Sequence, residues 1–201
     1  IGRVVEAGRN GDVIVACTQE GAAFTEALDE QAQAVPRIID PVMVATSGHR
    51  LVDRRAVEAI SSLLVPHAAL VTPNAPEAEI LTGKSVDGIN GQRRAADALL
   101  NHGAKGVLVK GGHIPGRIIT DVLQTEQGEW IFESPRIDTT STHGTGCTLA
   151  SAVATGLGQG MNLVEAVERA RKYVREALAL APGYGSGHGP MGAPLGFHAH
   201  A

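Results

Sequence analysis

The stretch Asp138-Thr-Thr-Ser-Thr-His-Gly-Thr-Gly-Cys-Thr148 runs straight into the apolar, small-residue segment Leu149 to Leu157, and together they read as a loop that turns into a helix start. Gly144 and Gly146 let the backbone approach a ligand closely. The N–H groups of a first helical turn have no partner inside the helix, so they can point at a phosphate or a developing negative charge. Cys147 lies inside that positive field. A thiol at a helix N-terminus is biased towards thiolate, which equips Cys147 to take a proton from a substrate hydroxyl near neutral pH. Taken alone, such a cysteine is more often a small buried residue; the flanking Gly144-Thr145-Gly146 and Thr148 reverse that reading.

Outward from this loop, strands and helices alternate. Asp12 to Cys17 reads as a short buried strand, Phe24 to Val35 as a helix through Phe24, Leu28 and Ala32, and Arg37 to Asp40 as a second strand ending at a proline. Asp53 can cap a helix carrying Ala56, Ile60 and Leu63, and Ala69 to Thr72 is the next apolar run, stopped by Pro73. A short helix over Glu77 to Leu81 ends at Gly83, a longer one over Gln92 to Asn101 ends near Gly103, and Gly106 to Lys110 is another buried strand. Ile118 to Gln124 and Glu129 to Glu133 read as a hairpin or edge pair, followed by helices from Gly144 to about Leu157 and from Leu163 to Leu180. This order implies a layered α/β fold with a mostly parallel sheet, in which ligands gather beyond the carboxyl ends of the strands. Asp40, Asn74 and Lys110 fall at or just past such ends and are expected to converge on one crevice.

Composition narrows the function classes. The 201 residues, 43% apolar and 19% charged, suit one globular domain, expected over 1–181, with a Gly, His, Pro and Ala-rich tail over 182–201. A formal net charge of −4 and only three Phe, two Tyr and one Trp disfavour both a phosphate-backbone footprint and a base-stacking platform, so no nucleic-acid partner is expected. No run has the length of a membrane span, and Ile1 to Asn10 lack the apolar stretch of a signal peptide, so a cytoplasmic protein without membrane partners is expected. Two cysteines, Cys17 and Cys147, are too few for a disulfide framework. The Gly156-Leu-Gly-Gln-Gly160 run follows a helix and therefore lacks the context of a dinucleotide loop, and no Walker-type loop is present.

His143-Gly-Thr-Gly-Cys-Thr148, read with Asp40-Pro-Val-Met-Val-Ala-Thr-Ser-Gly48, Val71-Thr-Pro-Asn-Ala-Pro-Glu-Ala-Glu79 and Lys110-Gly-Gly-His113, closely resembles the hydroxymethylpyrimidine/phosphomethylpyrimidine kinases of thiamine biosynthesis. The resemblance covers roughly Ile38 to Gly183 and implies a ribokinase-like three-layer α/β/α fold. It also implies MgATP-dependent phosphorylation of 4-amino-5-hydroxymethyl-2-methylpyrimidine and of its monophosphate, and a homodimer.

Roles follow residue by residue. By resemblance, the Gly144-Thr145-Gly146 backbone is the anion hole for the transferred phosphoryl, and Cys147 stands where most ribokinase-like enzymes carry an aspartate base. Asp40, a carboxylate at a strand end, suits Mg²⁺ held through water, its bland alternative being an Asp-Pro turn residue. Val42 and Met43 would, by similarity, lie against the pyrimidine ring, although apolar residues after a strand are also ordinary core. Asn74 and Glu77 resemble the Asn-x-x-Glu signature that serves phosphates and the metal-water shell, yet the same pair reads equally as a capping box. Lys110, followed by Gly111-Gly112, is assigned to the nucleotide phosphates, and His143 and Thr145 flank the hole as further donors; a lone lysine at a strand end is otherwise commonly exposed.

The chain departs from the family pattern at its front. Family members begin with a Gly-Ser-Asp-Ser-Ser-Gly-Gly-Ala-Gly type segment and carry a Lys-x-Gly-Met-Leu region, and neither is found near Val13 to Cys17. The expectation is an N-terminally incomplete kinase domain with an exposed sheet edge. Two alternatives stand beside the pyrimidine kinase: a pyridoxal/pyridoxine kinase, and a catalytically silent nucleotide-binding fragment. A cysteine-nucleophile enzyme is disfavoured, because no His-Asp or His-Asn arrangement accompanies Cys147.

Overall fold

Strands buried on both faces read as continuous apolar runs, and Ile38-Ile39, Leu70-Val71 and Val107-Leu108-Val109 are three of them. The computed structural model describes residues 3–7 and 13–17 as backbone, and residues 35–44, 51–184 and 187–193 in full. The helix expected over Phe24 to Val35 falls almost wholly outside these residues. Seven strands form one sheet in chain order: β1 (Arg3–Ala7), β2 (Val13–Cys17), β3 (Arg37–Asp40), β4 (Leu70–Val71), β5 (Gly106–Val109), β6 (Ile118–Thr125) and β7 (Gly128–Pro135). Strands β2 to β5 are mutually parallel, which makes the centre of the sheet parallel. Strand β1 joins it antiparallel on one side, and β6 and β7 do so on the other.

Because successive side chains of a strand point to opposite faces, the apolar runs feed two cores. Ile39, Val71, Val107 and Val109 share one with residues of α1 (Arg54–Ala59), α2 (Ala75–Thr82) and α3 (Ile89–Asn101). Ile38, Leu70, Leu108 and Leu123 share the other with α4 (Thr145–Gly158) and α5 (Leu163–Ala179). The result is the layered α/β fold expected from the alternation of elements, in the three-layer α/β/α form that the family resemblance implies. On the outermost strand, β7, the half-buried Trp130 and Phe132 pack towards the second core, while Glu129, Ile131, Glu133 and Pro135 are exposed.

Local signals fix the helix ends. The Asp53 carboxylate accepts from the Ala56 N–H at 2.8 Å and starts α1, which is shorter than its apolar spacing implies. A π-helical turn over Ile60–Leu64 replaces the continuation, just ahead of Pro66, which has no N–H to extend the ladder. Helix α2 stops at Gly83, whose φ of 67° is the left-handed conformation glycine adopts without strain. The segment after Pro182, read from composition as a loose tail, is tied down at several points. The His143 N–H donates to the Gly189 carbonyl at 3.2 Å, His143 and Pro190 form a parallel bridge, and the Gly192 N–H donates to the Ala177 carbonyl at 2.9 Å. Backbone pairing of this kind leaves no trace in composition.

Helix α4 is held in place by α5. Gly156 lies so close to α5 that a Cβ there would sit 2.9 Å from the Ala166 Cβ and 3.1 Å from Arg169 Nη2. Gly156→Val is expected to destabilise the protein by about 1–3 kcal/mol through overpacking of this crossing. Urea unfolding measures it, and an unchanged midpoint would mean that the crossing is loose.

Candidate active site

Three adjacent parallel strands end on the same side of the sheet, and each delivers one polar residue there. Asp40 is the last residue of β3 and 2% exposed; Asn74 and Lys110 follow β4 and β5. The Lys110 N–H donates to the Pro73 carbonyl at 2.9 Å, and Lys110 pairs with Asn74 in a parallel bridge, so the chain after β5 turns towards β4. The Lys110 ammonium then reaches Asp40 Oδ1 at 3.1 Å. The same oxygen accepts from the Thr72 hydroxyl at 2.9 Å. Thr72, fully buried, escaped the sequence reading although it lies within the Val71 to Glu79 motif.

Asn74 and Glu77 form the capping box of α2. The Asn74 side chain accepts from the Glu77 N–H at 3.0 Å, and Glu77 Oε2 accepts from the Asn74 N–H at 2.8 Å. The capping geometry does not remove Glu77 from the site. It is 3% exposed, and its second oxygen accepts from the Met43 N–H at 3.4 Å. Burial pushes the Glu77 carboxyl up from its ordinary 4.5 to about 7; Lys110 opposes the rise, Asp40 adds to it, and the Asn74 and Met43 N–H groups oppose it. Burial alone would lower the Lys110 pKa, but Asp40, Glu77 and Cys147 outweigh it and hold the ammonium above its usual range.

The Met43 side chain is wholly enclosed in the core that also holds Ile39 and Val71, rather than facing the cleft, and its contribution to the site is its backbone N–H. Val42 is half-buried, with its N–H turned back onto the Asp40 carbonyl at 2.9 Å. Met43, with Val44 beside it, belongs to the core, whereas Val42 lies in neither core.

The helix start expected at Gly144 is present and faces this group. Gly144 takes φ 84°, and α4 begins at Thr145 without a side-chain cap, in contrast to the boxes of α2 and α5. Gly146 sits directly over the ion pair: a Cβ there would lie 3.1 Å from Lys110 Nζ and 3.2 Å from Asp40 Oδ2. The Thr145 hydroxyl donates to the Thr142 carbonyl at 3.1 Å, and Cys147 is half-buried in the first turn. His143 is exposed beside the loop, with its N–H committed to Gly189. An open helix N-terminus over a lysine is an arrangement that attracts anions. Among the described residues no group of three His, Cys, Asp or Glu side chains could hold a metal by itself. Also among them, no helix is long and apolar enough to cross a membrane.

Sequence reading also missed what lies behind Lys110. Asp121 on β6 accepts the Gly111 N–H at 2.8 Å and pairs through its other oxygen with Arg171 of α5 at 2.7 Å. Gln92 of α3 donates to the Val109 and Thr120 carbonyls at 3.0 and 2.7 Å. A carboxylate inside the apolar run of a strand was the available signal.

Parallel strand ends that bring a carboxylate and an ammonium under the N-terminus of one helix and cap a second with an asparagine, in a three-layer fold, make this a ribokinase-like α/β protein. The pyridoxal kinase from Staphylococcus aureus in complex with AMP-PCP matches it with a TM-score of 0.82 at 26% identity, covering 94% of this chain and 71% of that one. The phosphomethylpyrimidine kinase from Clostridium difficile 630 matches with a TM-score of 0.66 at 33% identity, covering 77% and 62%. The chain belongs to the phosphomethylpyrimidine kinase family, whose model matches residues 14–192. A hydroxymethylpyrimidine/phosphomethylpyrimidine kinase of Bacillus subtilis (strain 168) is 42% identical over 154 residues, which are 76% of this chain and 57% of that protein. The thiamine biosynthesis bifunctional protein ThiED of Geobacter sulfurreducens is 49% identical over 154 residues, 77% of this chain and 31% of that protein. The chain thus spans under three fifths of the first relative and under a third of the second.

The Glu77 carboxyl gives the stability a pH signature. A folded-state pKa of about 7 against an ordinary 4.5 means that its contribution is fully present below 4.5 and is lost as pH rises through 7. Wild-type stability is therefore expected to fall relative to Glu77→Gln between pH 5 and pH 8, as read from thermal midpoints. Parallel pH curves would show a carboxyl that ionises without penalty.

Proposed function

We propose that this chain is a MgATP-dependent kinase for the hydroxymethyl group of 4-amino-5-hydroxymethyl-2-methylpyrimidine and for the phosphate of its monophosphate. The observation that carries the reading is the Lys110–Asp40 pair seated under Gly146 at the uncapped start of α4, with Cys147 in the same turn. Phosphoryl transfer needs little covalent chemistry from a protein; it needs positioning, charge stabilisation and a proton acceptor. In this reading the Gly144 to Gly146 backbone and the Lys110 ammonium face the transferred phosphoryl group, with Asn74 and His143 at its margin. Cys147 lies within electrostatic reach of Lys110 and takes the proton of the attacking hydroxyl.

The residues present fit a magnesium ion brought in with the nucleotide. Asp40 and Glu77 are two carboxylates facing one ammonium, and Glu77 is short of compensating positive charge. They would hold the ion through water, with phosphate oxygens completing its shell. Bound there, magnesium supplies charge neutralisation between the phosphates. A homodimer and a cytoplasmic location without nucleic-acid or membrane partners belong to the same reading.

A pyridoxal-type alcohol is the second reading, favoured by the 0.82 TM-score to a pyridoxal kinase. Incubation with MgATP and each alcohol in parallel, followed by mass spectrometry, separates the two. Pyrimidine monophosphate followed by diphosphate is the expected result; phosphorylated pyridoxal alone selects the second reading, and nucleotide binding without product selects a silent binder. Cys147→Ser is expected to lower kcat by on the order of a hundredfold or more while changing either KM little. An unchanged kcat would remove Cys147 from the chemistry. Lys110→Met is expected to raise the KM for ATP and lower kcat together, and unaltered steady-state constants would exclude Lys110 from phosphate binding.

A further inference from the structure

Behind the proposed phosphate site lies a second buried charge pair that the phosphoryl-transfer scheme leaves unused. Strand β5 pairs with β6 up to Val109–Val122, after which Lys110 bonds towards β4 and leaves its former partner strand. The Gly111 N–H needs a different acceptor at that divergence, and Asp121 Oδ1 supplies it at 2.8 Å. Asp121 Oδ2 receives Arg171 Nε at 2.7 Å, and both side chains are 11% exposed. Arg171 is itself fixed by the Phe132 carbonyl at 3.3 Å, the Ser134 hydroxyl at 3.4 Å and the face of the Phe132 ring, 5.1 Å from its centroid. A Cβ at Gly111 would collide with the Thr120 carbonyl, so the turn passes close against β6 and only glycine fits there. Burying two charges is a costly way to satisfy one N–H, unless the position of the following turn matters.

We infer that Asp121, held by Arg171, is a positioning residue that fixes the Lys110-Gly111-Gly112 turn for nucleotide phosphate binding, an inference that rests on the kinase reading above. Asp121 does not touch the phosphates. It acts through Gly111, one residue from the ammonium that faces them, and a turn displaced by a fraction of an ångström misaligns Lys110 against Asp40 and Gly146. Arg175 is the natural control. It lies on the same helix and ties it to the same hairpin, donating to the Pro135 carbonyl at 2.8 Å, but it bonds neither Asp121 nor Gly111.

The test is calorimetric titration of MgATP, without acceptor alcohol, into wild type, Asp121→Asn, Asp121→Ala and Arg175→Met, each checked for a folded circular dichroism spectrum. Asp121→Asn keeps an acceptor for Gly111 while losing the ion pair, so it remains informative if the alanine variant is unstable. The expected result is a Kd raised on the order of tenfold in Asp121→Asn, more in Asp121→Ala, and unchanged within about twofold in Arg175→Met. In turnover the KM for ATP should rise with the KM for the alcohol unmoved. Asp121 variants that bind as wild type, or that weaken no more than Arg175→Met, overturn the positioning role alone. Failure of the wild type to bind MgATP overturns the kinase reading and this inference with it.

Discussion

The Lys110–Asp40 ion pair is the constraint around which the rest is arranged. Two opposite charges removed from water are stable only with good geometry and further hydrogen bonds, and a pair that lost one partner would leave a buried charge uncompensated. Each neighbouring element meets part of that demand. Thr72, just past β4, reaches the shared oxygen, α2 brings the Glu77 charge, and α4 arrives with a glycine whose missing Cβ leaves the pair undisturbed. The parallel register of β3, β4 and β5 places their ends together, so the site and the sheet are one construction.

The Asn-x-x-Glu motif shows how far local sequence carries. It occurs twice, at Asn74 to Glu77 and at Asn162 to Glu165, and both copies form complete capping boxes. At α5 the box is exposed and serves only to start a helix, whereas at α2 it is buried beside a lysine and an aspartate. The Asn and Glu at the ends of each motif make the same capping bonds in both. The difference lies in what the sheet brings alongside, and a carboxylate that starts a helix in one place becomes part of a charged site in the other.

The fold was legible because apolar runs such as Ile38-Ile39 and Val107 to Val109 could be placed only in strands covered on both faces, with helices between them. The convergence of Asp40, Asn74 and Lys110 was legible for a related reason, since each follows such a run. Met43 was ambiguous, because an apolar residue just past a strand end fits equally into a cleft wall and into the core, where it lies. The Asp121–Arg171 pairing was illegible, because its members are 50 positions apart; only the carboxylate within the apolar run of β6 hinted that Asp121 needed a partner. The bonds of Gly189 to Gly192 were hidden for the same reason, because backbone groups bond regardless of side-chain chemistry.

The outer strand β7 settles how the sheet meets its surroundings on that side. Glu129 and Glu133 alternate with Ile131 along its exposed face, and Pro135 closes it without an N–H to offer. Glu129 is neutralised by Arg93 of α3 at 2.7 Å, so another strand approaching edge-on would meet the Glu133 carboxylate and, at Pro135, a missing donor. Lateral growth of the sheet is therefore disfavoured at this border, where β7 ends without a donor while its inner face stays packed on the core.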